Sequence, residues 1–396
     1  MNRLESIGET LRAALNALAA AAPDWLVLQV NPDWFDRYSN RVEEYRLPKG
    51  KAARQEYAEV MGTDGRTLLT AIYNPTAPVW LRQIPAVEIL RRVWVQQFHA
   101  PDAPGVAHLR AGADLPPAAR WIHSPYDAEV RYGTKRSTHW AGFKVHLTET
   151  CDPEGVHLIT QVQTTAALAG DVTQVRAIQT ELQAKGLAPK THIGDAGYTS
   201  AEEFVTSRTE RGIKLFGPIR KDNQWQAQAA QGYGLTAFPI DWEQHSVTCP
   251  QGKQRRYWKP GLDVCGRAIT KAVFHKADCQ SCTVRSLCTR STEEPRSITF
   301  RERAEHAALQ QARTDQQSAA FKAAIVVRAG VEGTISQGVR AFEVRQTRYI
   351  GLARTHLQHI LTAVAMNLVR LVAWWQGAQH AGTRMSHFAV LAPAGT

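Results

Sequence analysis

The chain has 396 residues, with 47 Lys and Arg against 36 Asp and Glu, a formal net charge of +11. A hydrophobic fraction of 44% and a mean hydropathy of −0.32 exclude a disordered chain and describe a globular one with two or three structural units. A basic surplus of this size points to a polyanionic partner, of which nucleic acid is the commonest; six cysteines in so long a chain do not make a secreted disulfide framework, so a cytoplasmic protein is expected.

Leu4, Ile7, Leu11, Leu15 and Leu18 recur at helical spacing, so residues 4–22 predict an opening helix in place of a cleavable signal. Short helical patterns mixed with tryptophan, proline and basic residues follow to about residue 120. Leu81 to Phe98 predicts an arginine-rich amphipathic helix, and the Pro/Ala/Gly-rich stretch after it a linker. At residue 143 the period changes to two. F-K-V-H-L-T-E-T, the turn C-D-P-E-G and V-H-L-I-T-Q-V-Q-T-T predict an antiparallel hairpin over 143–165. Asp171 then opens a helix through Val172, Val175, Ile178 and Leu182 that ends near Gly186, and Asp171 reads there as a cap.

Residues 192–200, H-I-G-D-A-G-Y-T-S, end a short strand on Asp195. Ser200 and Glu203 then form a capping-box pattern for the next helix. A carboxylate at the tip of a buried strand is costly to desolvate unless a cation or a hydrogen-bond donor meets it. A turn cap is one answer and a divalent cation the other. Magnesium takes one or two carboxylates with phosphate and water, so a second carboxylate is sought elsewhere.

The segment 321–340 supplies one. Arg328, Glu332, Ser336 and Arg340 fall on one slowly drifting stripe of a helix. A solvated salt-bridge ladder gives the same pattern. Against it, Gly330, Gly333 and Gly338 each cost about 1 kcal/mol in a helix interior, which implies a close approach to this helix. The longest apolar run, 360–375, contains Asn367 and Arg370, and predicts a buried core helix before a membrane span.

Cysteine spacing makes a second constellation. C-Q-S-C-T-V-R-S-L-C brings Cys279, Cys282 and Cys288 together in sequence, and T-C-P-Q-G-K places Cys249 upstream. The set is consistent with a tetrahedral structural zinc, with reduced buried thiols as the other reading and Cys265 as a spare ligand. Nearby Arg255, Arg256, Tyr257, Trp258 and Lys259 interleave bases with aromatics, a pattern suited to phosphate contact and base stacking.

Taken in order, these motifs resemble the DDE transposases of bacterial insertion sequences, which share an RNase-H-like fold with retroviral integrases. H-W-A-G-F-K-V-H-L-T-E-T resembles the paired strands of that core, and D-A-G-Y-T-S the setting of the family's second aspartate. R-A-G-V-E, with R-Q-T-R-Y-I-G-L-A-R and N-L-V-R-L, resembles its C-terminal glutamate block. Ile325 stands where the family often has tyrosine, and no Asp-Ser-Thr, the usual setting of the first aspartate, occurs in the chain. The likeness covers about residues 120–375.

The resemblance implies an α/β chain with an RNase-H-like mixed-sheet core, a helical N-terminal segment and a cysteine-bearing insertion. The implied organisation is 1–120 as a helical insertion, 121–205 as the first part of the core, 206–300 as a basic insertion, 301–378 as C-terminal helices and 379–396 as a tail. It also implies metal-dependent cleavage of transposon ends and strand transfer, with Asp195 and Glu332 holding Mg²⁺ or Mn²⁺. Arg328 and Arg340 would meet DNA phosphate or orient the glutamate. The partners implied are double-stranded DNA, both terminal repeats and target, and further copies of the chain on that DNA near the nucleoid; no membrane is implied. The missing first aspartate suggests a chain begun inside a longer frame and inactive as it stands; the alternative is that Asp127 substitutes as the first ligand. Cys249, Cys279, Cys282 and Cys288 would hold structural zinc. Two rivals stay open: another RNase-H-like nuclease that cuts without joining, and a non-catalytic zinc-stabilised DNA-binding remnant.

Overall fold

A computed structural model describes residues 2–99, 107–135 and 137–378; part of the expected linker and the expected tail at 379–396 lie outside the described residues. In chain order the elements are α1 (Arg3–Ala21), α2 (Pro23–Val27), α3 (Asp33–Tyr38), α4 (Lys51–Ile72), α5 (Pro85–Gln97), β1 (Arg131–Lys135), β2 (Thr138–Glu149) and β3 (Ile159–Ala166). Then come α6 (Val175–Ala184), β4 (Thr191–Ile193), α7 (Ala201–Arg211), β5 (Lys214–Phe216), α8 (Trp225–Ala229), β6 (Ile240–Asp241), β7 (Ser246–Val247), β8 (Arg255–Leu262) and β9 (Ala268–Phe274). The last are α9 (Lys276–Gln280), α10 (Arg285–Cys288), β10 (Ser297–Phe300), α11 (Arg303–Asp315), α12 (Ala319–Ile325), α13 (Ala329–Phe342) and α14 (Leu352–Trp375). Two compact units contain them, one of Met1–Ala169 with Ile335–Thr396 and one of Gly170–Thr334.

In the first unit, α1, α4 and α5 bury Ile7, Leu11, Leu18, Met61, Leu68, Ile72 and Leu90, the apolar stripes that their sequences space at helical intervals. Two glycines let α4 and α5 meet. A Cβ on Gly65 would lie 2.1 Å from the Trp94 ring, and one on Gly62 would lie 2.4 Å from the Phe98 ring. The helix expected over 81–98 is divided, because Pro85 starts α5 after a short 3-10 turn at Val79–Gln83; proline suits a first helical position and no interior one. Asp64 is buried and takes hydrogen bonds from Trp34 Nε1 (2.8 Å), Tyr38 Oη (2.7 Å) and Arg37 Nε (2.9 Å).

The predicted hairpin forms. β2 pairs antiparallel with β3 from Phe143↔Ala166 to Glu149↔Ile159, with an irregularity at Thr148/Glu149. β1 extends it, pairing Arg131–Lys135 with Gly142–Thr138. This strand escapes the periodicity reading because R-Y-G-T-K buries only Gly133.

Helix α14 packs its Ala363 and Met366 on Ile159 and Val162 of β3. Its polar residues, anomalous in an apolar run, are anchors. The Asn367 carboxamide accepts from Ile159 N–H (2.8 Å) and donates to Ile159 C=O (2.9 Å). Arg370 donates to Glu149 (2.9 Å), to His157 C=O (2.8 Å) and to Gln337 (3.0 Å). The expectation of a buried core helix needs correction. Only Thr355, His359, Ala363 and Met366 are buried on α14, while Leu361, Leu368 and Val369 are more than half exposed. Length and composition alone would let this helix cross a membrane.

The second unit holds β4, α7 and β5, in which the two strands pair in parallel with Thr191↔Lys214, His192↔Leu215 and Ile193↔Phe216. It also holds a three-stranded antiparallel sheet of order β10-β9-β8 and the small β6–β7 pair. A core of Phe238, Val247, Ala272, Phe274, Ile298 and Phe300 lies under that sheet. Helix and sheet are thus mixed as expected, but the strands form small sheets: the hairpin joins β1, and the strand leading to Asp195 joins β5.

Two measurements test the α14 seam. Arg370 and Glu149 are 15% and 4% exposed, so Arg370→Ala should lower stability by about 3–5 kcal/mol by removing the cation that meets a buried carboxylate. Replacing both by apolar residues of similar size should restore most of that loss in a denaturant titration. His359 is buried against Thr164, whose Oγ lies 2.8 Å from its Nδ1; burial, aided by His356, pushes its imidazole down to about 4. The unfolded chain therefore binds a proton that the folded chain refuses. That contribution is whole above about pH 6.5 and is lost as pH falls towards about 4, so the melting temperature should drop across this window. His359→Asn should flatten the drop.

Candidate functional site

The parallel pairing continues past β4, where Gly194 N–H donates to Phe216 C=O at 2.9 Å, and the chain then turns at Asp195. Asp195 Oδ1 accepts from Gly197 N–H at 2.6 Å, and Tyr198 N–H closes the turn on Asp195 C=O at 3.0 Å. Ser200 Oγ caps α7 through Glu203 N–H at 3.1 Å. The Glu203 carboxylate meets Arg211 Nη2 at 3.2 Å, where the capping-box reading would have turned it back to the cap.

A second carboxylate reaches this turn. A Cβ on Gly197 would lie 2.9 Å from Asp195 Oδ1 and 3.0 Å from Asp171 Oδ2, so both oxygens close on the hydrogen-only side of one glycine. From its place in the sequence Asp171 is expected to cap the next helix. Here the helix enters through a 3-10 turn, Asp171–Gln174, whose N-cap is Gly170. The signal that could have found this role is the buried stripe of Val175, Ile178 and Leu182, which fixes where the start of α6 lies. Tyr198 feels both acids: burial first, then Asp171 and Asp195, holds its phenol protonated far above the usual range. Burial lowers the neighbouring His192 imidazole.

Glu332 sits in the first turn of α13 with its side chain 70% exposed, and meets Arg328 Nη2 at 3.2 Å. An exposed i,i+4 pair of this kind contributes little to stability. The single helical stripe expected over 321–340 is interrupted, because Val326–Arg328 form a 3-10 turn between α12 and α13. Arg340 is exposed on α13. Of the glycines there, Gly338 is approached closely, by Met366 and Val344 at 3.4 Å, whereas nothing lies within 4 Å of a Cβ on Gly333.

Asp127 is buried in the first unit. Its Oδ1 accepts from Glu129 N–H (2.9 Å) and its Oδ2 from Gly351 N–H (2.8 Å). Glu129 accepts from Leu352 N–H, so two acids serve the start of α14, where helical N–H groups lack partners.

The cysteines are all free thiols. Cys249, Cys279 and Cys288 pack against the apolar core under β8–β10, and Lys253 N–H donates to Cys249 Sγ at 3.3 Å. Burial first, then the thiols of Cys282, Cys249 and Cys279, pushes the Cys288 thiol up against the opposing effect of Arg296. Cys151 and Cys265 are exposed. Among the described residues, no group of three or more His, Cys, Asp or Glu is arranged to hold a metal ion. Of the four cysteines expected to hold zinc, Cys249, Cys279 and Cys288 line this small core, and Cys282, Cys249 and Cys279 are near enough to Cys288 to raise its thiol.

The Asp127 arrangement generates a test. Asp127→Ala should lower stability by about 1–2 kcal/mol, the scale of a lost helix-start acceptor, as read from the midpoint of a denaturant titration.

No curated protein and no solved structure matches the chain. A sequence model of the family described as Transposase DDE domain matches residues 248–372, less than half of the chain, which include Cys249, Arg328, Glu332, Arg340 and most of α14 but neither Asp171 nor Asp195.

Proposed function

We propose that the chain is a DDE-type transposase acting on double-stranded DNA, with its cleaving site at the turn after β4. The observation that carries this reading is the pair of carboxylates, Asp195 and Asp171, closing on Gly197 in a chain that matches the transposase domain over 248–372. The fit to a divalent cation lies in the donor set: magnesium takes one or two carboxylates and completes its shell with water and phosphate oxygens. A cation held there supplies Lewis-acid stabilisation of a scissile phosphate and activation of the attacking oxygen.

Asp195 and Asp171 would supply the negative charge, and the hydrogen bond from Gly197 N–H fixes which Asp195 oxygen stays with the backbone. The protonated Tyr198 phenol adds no third charge to the pair. Glu332 is the further carboxylate of this reading, with Arg328 beside it orienting it or meeting phosphate, and Arg340 as a second phosphate contact. Copies of the chain would act together on terminal repeats and target DNA. Strand transfer separates this function from a nuclease that only cuts, and loss of all cleavage with DNA binding kept would mark the non-catalytic alternative.

Duplex binding should weaken with salt by a slope of about −0.9 in log K against log salt for each phosphate contact. A flat response between low and moderate salt would remove the DNA reading. Nicking of duplex DNA bearing the flanks of its own reading frame should require Mg²⁺ or Mn²⁺ and vanish in Asp195→Ala. Gly197→Ala places a methyl 2.9 and 3.0 Å from the two acidic oxygens. It should weaken Mn²⁺ binding about ten-fold or more, on the 1.4 kcal/mol-per-decade scale, while circular dichroism stays unchanged. Wild-type Mn²⁺ affinity in both Gly197→Ala and Asp171→Asn would sink the proposed pair.

A further inference from the structure

The sheet of β8, β9 and β10 has two unlike faces. In register, Trp258 stands opposite Ala272, and Ala272 opposite Ile298; these face the apolar core with Phe300. One residue along, every side chain points the other way. Lys259 there stands directly opposite Lys271, which stands opposite Thr299, and all three are exposed. Next to them Tyr257 is 40% exposed, with the Arg256 guanidinium 4.7 Å and the Lys259 ammonium 4.9 Å from its ring centre.

Like charges placed directly opposite across a sheet repel. Among the described residues neither Lys259 nor Lys271 has a carboxylate partner, although Lys253 and Lys276 of the same unit do. The repulsion is relieved when an anion lies between the two ammonium groups. An exposed ring between cations is a different element again. The cation–ring contacts are weaker than a base stacked on an aromatic ring, so a base can take the place of a cation while the cation moves to the adjoining phosphate.

We infer that this face binds unpaired nucleotides, with a base stacked on Tyr257 and the neighbouring phosphates held by Lys259, Lys271 and Arg256. The inference rests on the reading of the chain as a DNA-acting protein and adds to it a site for strand that has left the duplex. A paired base shows a protein only its edges in the grooves, so a stacking ring on an open sheet selects single strands.

The test uses the full chain and fluorescence anisotropy with a labelled short oligothymidylate and a labelled blunt duplex. Tyr257→Ala should weaken oligothymidylate binding about ten-fold and leave duplex binding within about two-fold, and Tyr257→Phe should keep wild-type affinity for both. Lys259→Glu with Lys271→Glu should weaken the single strand and reduce its salt slope by about 1.4, two contacts at about 0.7 each. Thermal melting of each variant establishes that it folds. Unchanged oligothymidylate binding in Tyr257→Ala, or an equal loss on duplex, would overturn the stacking site, as would competition by inorganic tripolyphosphate as effective as by unlabelled oligothymidylate. Oligothymidylate binding is read without divalent metal and nicking with it, so failure of the cleavage reading and failure of this one are separate results.

Discussion

A carboxylate withdrawn from water must be met by donors, and the way this chain meets each of its buried acids organises the molecule. Asp64 gathers a tryptophan, a tyrosine and an arginine. Burial alone would raise Glu9, but the Val42 amide, Tyr126 and Arg12 bring it below the usual carboxylate range. Asp127 takes two backbone amides, and Glu149 takes Arg370. Each of these acids joins distant pieces of chain, so each is explained by the fold. The Asp195 turn differs in kind, because there one acid closes on another across a glycine. Carboxylates gathered in this way suit a divalent cation, which takes one or two of them and completes its shell with water and phosphate oxygens.

Much of the architecture is legible in the residues, and the places where it is not have identifiable causes. The opening helix and the 143–165 hairpin follow from period because each buries one face, and the helix after Asp195 follows from its Ser200 cap. β1 has almost nothing to bury, so periodicity is silent about it. The stripe over 321–340 is helical in spacing, yet spacing does not register the 3-10 turn at Val326–Arg328. Hydropathy marks α14 correctly as a helix, but cannot distinguish a helix buried all round from one laid along a sheet with its far side bare.

The candidate site is half legible for a related reason. Asp195 announces itself by its setting after a strand, whereas Asp171 lies 24 positions earlier by residue number and joins it only through the packing of α6. Cysteine spacing suggests a ligand set, but spacing is equally served by thiols that fill gaps in a core of few residues. The basic and aromatic run at 255–259 needs the sheet register to sort it: Trp258 turns inward, and Tyr257 and Lys259 turn outward.

The meeting of α4 and α5 has an evolutionary consequence. Gly62 and Gly65 leave room for Phe98 and Trp94 and for nothing larger than hydrogen on their own side. Sequence drift at either glycine is therefore conditional on a smaller ring partner, and a smaller ring leaves a void unless the glycine changes with it. Four positions, on α4, on α5 and just past its end, thus vary as one unit. Homologues of this segment should be recognisable by paired exchange at these sites even where the surrounding surface has lost all similarity.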